Sequence, residues 1–143
     1  MKHLLLLIAC GLASTALADH ELDGRDLADG RALYGDYCAA CHGDNLQGQP
    51  DWRTPDENGL LPAPPHDETG HTWHHDNQLL FDYTRLGGAA ALAERGVTGF
   101  TSGMPAFSDT LSDAEIWNIL AYIRSTWPAR VQQIQAARNP AHD

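Results

Sequence analysis

Apolar side chains recur at helical spacing in three stretches of the chain, and runs of β-branched residues are nearly absent. The clearest stretch lies towards the C-terminus, where one apolar face is formed by Ile116, Ile119, Leu120, Ile123 and Trp127. Ser112 and Glu115 have the spacing of a capping box ahead of this face, and Pro128 follows it as a stop signal. The pattern therefore predicts a long last helix.

Two earlier helices are predicted from the same periodicity. The first runs from Leu27 to Ala40, and the second runs from Asp76 to Leu86 with Gly87 as its stop. The stretch from Gly43 to Pro65 is rich in Gly, Pro and Asp, which predicts an extended loop. Residues 129–143 are polar, and we expect a C-terminal tail that is partly helical and peripheral. Together these elements predict a small all-α domain.

The first residues have the pattern of a secretory signal peptide. Lys2 precedes an apolar run that is too short to span a bilayer, and Ala16-Leu17-Ala18 has the form that a signal peptidase cleaves. We expect residues 1–18 to be a signal peptide cleaved after Ala18, residues 19–128 to be the domain, and the protein to be periplasmic. Lipid attachment at Cys10 is the alternative. No other stretch suggests stable membrane insertion.

The charge of the chain limits its partners. The formal net charge is −10, and removal of Lys2 with the signal peptide makes it −11, with eight arginines against nineteen acidic residues. Such a surface repels nucleic acid and anionic lipid, and it suits a protein partner with a basic docking patch. Solubility after export is an equally good reason for the charge.

Two cysteines and a histidine, Cys38, Cys41 and His42, form a C-x-x-C-H motif. A thioredoxin-like dithiol should join a strand to a helix, but here both flanks are helical. A structural zinc site needs four ligands, and no second cysteine pair is present. C-x-x-C-H is the attachment signature of c-type haem: each thiol adds to one vinyl group, and His42 becomes the proximal iron ligand.

Haem iron in an electron carrier needs a sixth ligand, usually Met or His. Met104 is the only methionine left after signal-peptide removal, and it lies between Gly103 and Pro105 ahead of the last helix. A constrained loop at this point can present the thioether to iron. The competing ligands are four histidines of one short segment: His66, His71, His74 and His75.

These features together resemble the class I cytochromes c. Gly30 and Tyr34 stand eight and four residues before the first haem cysteine, as in that family, and Ile119 and Tyr122 match its aliphatic–aromatic pair on the last helix. Met104-Pro105 matches its ligand loop, so the resemblance runs from Gly30 to Trp127. It implies three main helices plus short ones around one covalent haem c, with the last helix crossing the first at the glycine.

The resemblance also implies residues around the haem. A proline carbonyl should accept a hydrogen bond from the proximal histidine; Pro62, Pro64 and Pro65 qualify by position, and Pro64 is our choice. Side chains with donors for the haem propionates are Trp52, Arg53 and Trp73. The lysine ring of mitochondrial cytochrome c is absent, so its partners do not transfer to this chain.

Three functions follow from these residues. With both axial positions filled the protein is a one-electron carrier, not an enzyme, and has no catalytic residues. If Met104 does not ligate the iron, the open position makes a peroxidase-like enzyme whose acid–base group is a clustered histidine. A third function is weak copper binding by the His66–His75 cluster, since imidazoles bind copper.

Overall fold

The structure is a computed structural model that describes residues 21–140. The predicted signal peptide lies outside these residues. The helices are α1 (Leu27–Tyr37), α2 (Ala39–His42), α3 (Asn77–Leu86), α4 (Gly88–Glu94), α5 (Asp113–Ser125) and α6 (Ala129–Ala136), with a 3-10 turn at Thr72–His74. No strand occurs within residues 21–140. The predicted all-α class, with three main helices and several short ones, is confirmed.

The three main helices begin where side chains cap them. Asp26 accepts hydrogen bonds from two backbone amides of the first turn of α1, and Asp76 accepts one from Leu79 at the start of α3. Ser112 and Glu115 form both bonds of the predicted capping box, with the Ser112 amide 2.7 Å from Glu115 Oε2. These bonds satisfy amides that a helix leaves unpaired, so each helix begins at a locally encoded residue.

The first and last main helices cross at Gly30, as predicted. A Cβ atom at this glycine would fall against the backbone carbonyl of Asn118 and 3.1 Å from Cβ of Tyr122. Beside the crossing, Asn118 Nδ2 donates to Asp29 Oδ2 at 2.9 Å, and the Tyr34 and Tyr122 rings lie 5.7 Å apart. A side chain at position 30 would therefore separate two backbones that are in direct contact.

The core lies where α1 and α3 meet α5. Tyr34, Ile116 and Ile119 are almost completely buried, and α3 adds Phe81, whose ring stacks on Trp117 with centroids 4.4 Å apart. Among residues 21–140 no helix is both long enough and apolar enough to cross a membrane.

Two features of the helices differ from the sequence prediction. The first predicted helix is two helices, because the backbone at Cys38 (φ −115°, ψ −37°) leaves regular geometry and α2 restarts at Ala39. The short helix α4 was not predicted. Its Ala-rich sequence has only one large apolar side chain, Leu92, and therefore shows no periodic pattern.

The expectation of a peripheral C-terminal tail is wrong for α6. Gln135 is fully buried, and its Nε2 donates to Asn77 Oδ1 at 2.7 Å and to the His75 carbonyl at 3.3 Å. Asn139 Oδ1 accepts the amide of Asn77 at 2.7 Å. The polar pattern was misleading because α6 packs through amide hydrogen bonds, which hydrophobic periodicity does not report.

Candidate haem site

The two cysteines of the motif, on either side of the start of α2, lie in different surroundings. Both are free thiols, Cys38 buried and Cys41 exposed. Burial, followed by the nearby Cys41, raises the pKa of Cys38 to about 11. The buried thiol is therefore protonated at neutral pH.

His42 ends α2 and is held by the loop that follows. Its Nδ1 donates to the Pro64 carbonyl at 2.8 Å, so Pro64 is the partner among the three candidate prolines. Burial lowers the pKa of His42, and the Pro64 bond opposes this shift without cancelling it. A neutral imidazole with Nδ1 occupied keeps its lone pair on Nε2. His42 thus has the form of a metal ligand with its orienting partner in place.

A second imidazole lies against His42. The rings of His42 and His66 stack with centroids 3.8 Å apart and planes inclined by 21°. Burial, then the charges of His42 and His71, holds the pKa of His66 well below its usual value. The sequence analysis placed His66 among the competing ligands and in the possible copper cluster. It gave no sign of this stack, because the two residues are 24 positions apart in the chain.

Hydrogen bonds from two other parts of the chain hold the segment that carries Pro64 and His66. Leu46 O accepts the amide of His66 at 2.8 Å, and the buried Trp127 donates from Nε1 to the His66 carbonyl at 2.7 Å. Tyr34 adds a hydrogen bond from its hydroxyl to the Gly43 carbonyl at 3.1 Å, at the end of α2. Residues from both ends of the domain therefore fix the surroundings of His42.

Met104 is half-buried and lies on a mostly exposed loop that packs against the end of α3. The loop is attached by main-chain bonds: Phe107 N to Thr84 O at 3.1 Å, and Ser108 N to Arg85 O at 3.1 Å. A Cβ at Gly87 would lie 3.1 Å from the Met104 carbonyl, so the α3–α4 turn touches the loop. The predicted ligand loop is thus a defined segment, and Met104 as iron ligand stays a prediction.

The histidine cluster has aromatic partners instead of a metal geometry. His71 stacks on Trp52 at 5.2 Å, and His74 stacks on Trp73 at 3.7 Å. The guanidinium of Arg53 lies 4.0 Å over the Trp52 ring. Over residues 21–140, no three His, Cys, Asp or Glu side chains are grouped so that they could hold a metal ion. The cluster therefore offers no preformed copper site in the described part of the chain.

The residues of the CAACH segment fit a haem. Two free thiols and an imidazole with its Nδ1 engaged are the donors that covalent attachment and iron ligation require. An all-helical domain whose first and last helices cross at a glycine carries them. The fold and motif together are those of a class I c-type cytochrome.

The comparison with protein families identifies the class more narrowly. The model of the family described as cytochrome c oxidase, cbb3-type, subunit III matches residues 25–123, and the chain belongs to this family. Neither a curated protein nor a solved structure matches the chain. A cytochrome c domain of this kind implies covalent haem c and electron transfer, and it fits a carrier better than an enzyme.

Proposed function

We propose that the protein is a periplasmic one-electron carrier with one haem c, attached through Cys38 and Cys41 and ligated by His42 and Met104. The hydrogen bond from His42 Nδ1 to Pro64 O is the observation that supports it most, because it prepares Nε2 to bind iron. Haem supplies a reversible one-electron change of its iron. The protein holds, orients and encloses it.

Each residue has a distinct part in this proposal. Cys38, which precedes α2, and Cys41, which lies within it, are the buried and the exposed thiol that would attach the cofactor. Pro64 accepts the N–H of His42, which fixes the position of Nδ1. Met104 would close the remaining axial position from a loop tied to α3. With both positions filled no substrate reaches the metal, so only electron exchange with a partner remains.

The partner is proposed to be a redox protein with a basic docking patch. Nineteen acidic residues against nine basic ones give a formal net charge of −10, which attracts such a surface over long range. Because salt screens exposed charges beyond about 8–10 Å, exchange with a cationic partner should slow as salt rises. A rate that ignores salt would argue for an apolar docking surface.

The sixth ligand is tested by Met104→Ala. The oxidised parent should show the weak far-red band of sulfur-to-iron charge transfer, and the variant should lose it and bind exogenous ligands. Gly103→Ala is the matched control, since no atom lies within 4 Å of its new Cβ, and it should keep the band. A parent that lacks the band and binds carbon monoxide readily would establish the peroxidase-like alternative instead.

Covalent attachment is tested separately. Cys38→Ala or Cys41→Ala should leave one thioether, and the double variant should release all of its haem into acidic organic solvent. Release from the denatured parent would show that the thiols do not attach the cofactor.

A further inference from the structure

We propose that His66 is a positioning residue for His42: its stacked ring fixes the plane of the proximal imidazole. The inference rests on the proposed function, because it needs His42 to ligate the iron. Its observation is separate, namely the contact of the two rings at 3.8 Å and 21°.

The hydrogen bond to Pro64 does not fix the ring of His42 by itself. A single acceptor at 2.8 Å holds the position of Nδ1, but the ring can still tilt about the line through that atom. A flat group against one face of the ring removes this remaining freedom. His66 supplies that flat group, so the two contacts together define both the direction and the plane of the ligand.

The position of His66 is itself fixed by its neighbours. Its amide donates to Leu46 O at 2.8 Å, and its carbonyl accepts the indole N–H of Trp127 at 2.7 Å. The edge of the Tyr34 ring lies against it, with centroids 6.0 Å apart. The ring of His66 therefore contacts His42 from a segment of fixed position. That segment is held by the loop after α2, by α1 and by the chain after α5.

An imidazole at this position carries a cost that an aliphatic side chain would avoid. The Nδ1 atom of His66 is buried and has no hydrogen-bond partner among residues 21–140. Burying such a nitrogen unpaired is unfavourable. Simple space filling would be served better by leucine, so the feature of His66 that the site uses is its flat ring.

The test compares His66→Leu with His66→Phe in the haem-loaded protein. The plane of an axial imidazole determines how unpaired spin is shared among the pyrrole rings, and the haem-methyl proton resonances of the ferric state report it. His66→Leu should change the spread of these resonances and raise the reduction potential, because a looser Pro64 bond makes His42 a weaker donor to ferric iron. His66→Phe should keep the parent's spread.

The two variants separate stacking from polarity, since both remove the imidazole nitrogens. Resonances that stay as in the parent for both variants, or that change equally in both, would overturn the positioning role. If His66→Leu does not fold, Trp127→Phe is the second variant. It removes the indole donor to the His66 carbonyl and also shortens a buried core side chain, so its free energy of unfolding is measured alongside. The spread of its haem-methyl resonances should differ from that of the parent. An unchanged Trp127→Phe would then overturn the proposal.

The proposed function fails in a different way. A parent that does not retain haem after denaturation contradicts covalent attachment, whatever residue 66 is. A parent with attached haem and the far-red band, but with resonances indifferent to residue 66, contradicts the positioning role alone.

Discussion

The surroundings of His42 and the loop of Met104 are built differently. Around His42, distant parts of the chain converge through a stacked ring, an indole donor and a proline carbonyl. The Met104 loop is held mainly by main-chain bonds to the last turn of α3 and by contact with the α3–α4 turn. From this difference we expect changes near His42 to affect folding, and changes near Met104 to affect the proposed ligation with less loss of stability.

The largest expected effect is at the helix crossing that supports the His42 side. Gly30→Ala puts a methyl group against the Asn118 carbonyl, and we expect it to lower the free energy of unfolding by about 1–3 kcal/mol, as overpacking does. Denaturant unfolding measures this. Gly30→Val should cost more.

Gly35→Ala is the matched control for that experiment. The same substitution lies in the same helix, but nothing is within 4 Å of the added Cβ. It should raise stability by about 0.5–1 kcal/mol, because alanine is the better helix former. Equal stability of the two variants would show that the crossing does not carry the fold.

The next effect sharpens the comparison on the Met104 side. Gly87 has φ +81°, and a Cβ there would lie 3.0 Å from Ala106 N and 3.1 Å from Met104 O. Gly87→Ala should cost about 2 kcal/mol, because a backbone at φ +81° and ψ 155° is essentially confined to glycine. It should also weaken the far-red band by displacing the loop.

Gly96 provides the comparison for Gly87, since it has the same φ of +81° and no atom within 4 Å of a Cβ. Gly96→Ala should also lose stability, because of its positive φ, but the band should stay unchanged. A far-red band of equal intensity in the two variants would mean that the α3–α4 turn does not position the Met104 loop.

The smallest effect concerns Tyr34, whose hydroxyl donates to Gly43 O. Tyr34→Phe should cost about 1 kcal/mol, the contribution of one hydrogen bond, and the exposed Tyr37→Phe should cost less.

Burial is the main cause that raises the pKa of Tyr34. Because the pKa of this phenol is higher in the folded than in the unfolded protein, its contribution to the free energy of unfolding is complete below the ordinary pKa of about 10. That contribution is lost as the pH rises above this value. Tyr34→Phe should therefore reduce the alkaline loss seen in unfolding midpoints.

Much of this molecule is encoded locally, and those parts were predictable from the sequence. The capping residues and the apolar face of α5 are each defined within one helix. The crossing at Gly30 joins two helices, and it was implied by the resemblance to the class I cytochromes c. The stack on His66 and the burial of Gln135 were not predicted, because each depends on a partner far away in the chain. Cys38 shows a third case, since the backbone break there leaves the helical pattern of the flanking residues intact.

The docking of α6 has a consequence for the order of folding. Gln135 and Asn77 are 58 residues apart in the chain, so their bond closes a long loop. The α1–α5 crossing closes a longer loop, with 89 residues between Asp29 and Asn118, but it buries apolar side chains such as Ile116 and Ile119. Each hydrogen bond of Gln135 adds only about 0.5–1.5 kcal/mol. The hydrogen bonds from α6 to the start of α3 should therefore be completed on a core already assembled by α1, α3 and α5. Amide hydrogen exchange should find α6 opening as a separate unit, while the crossing at Gly30 stays closed.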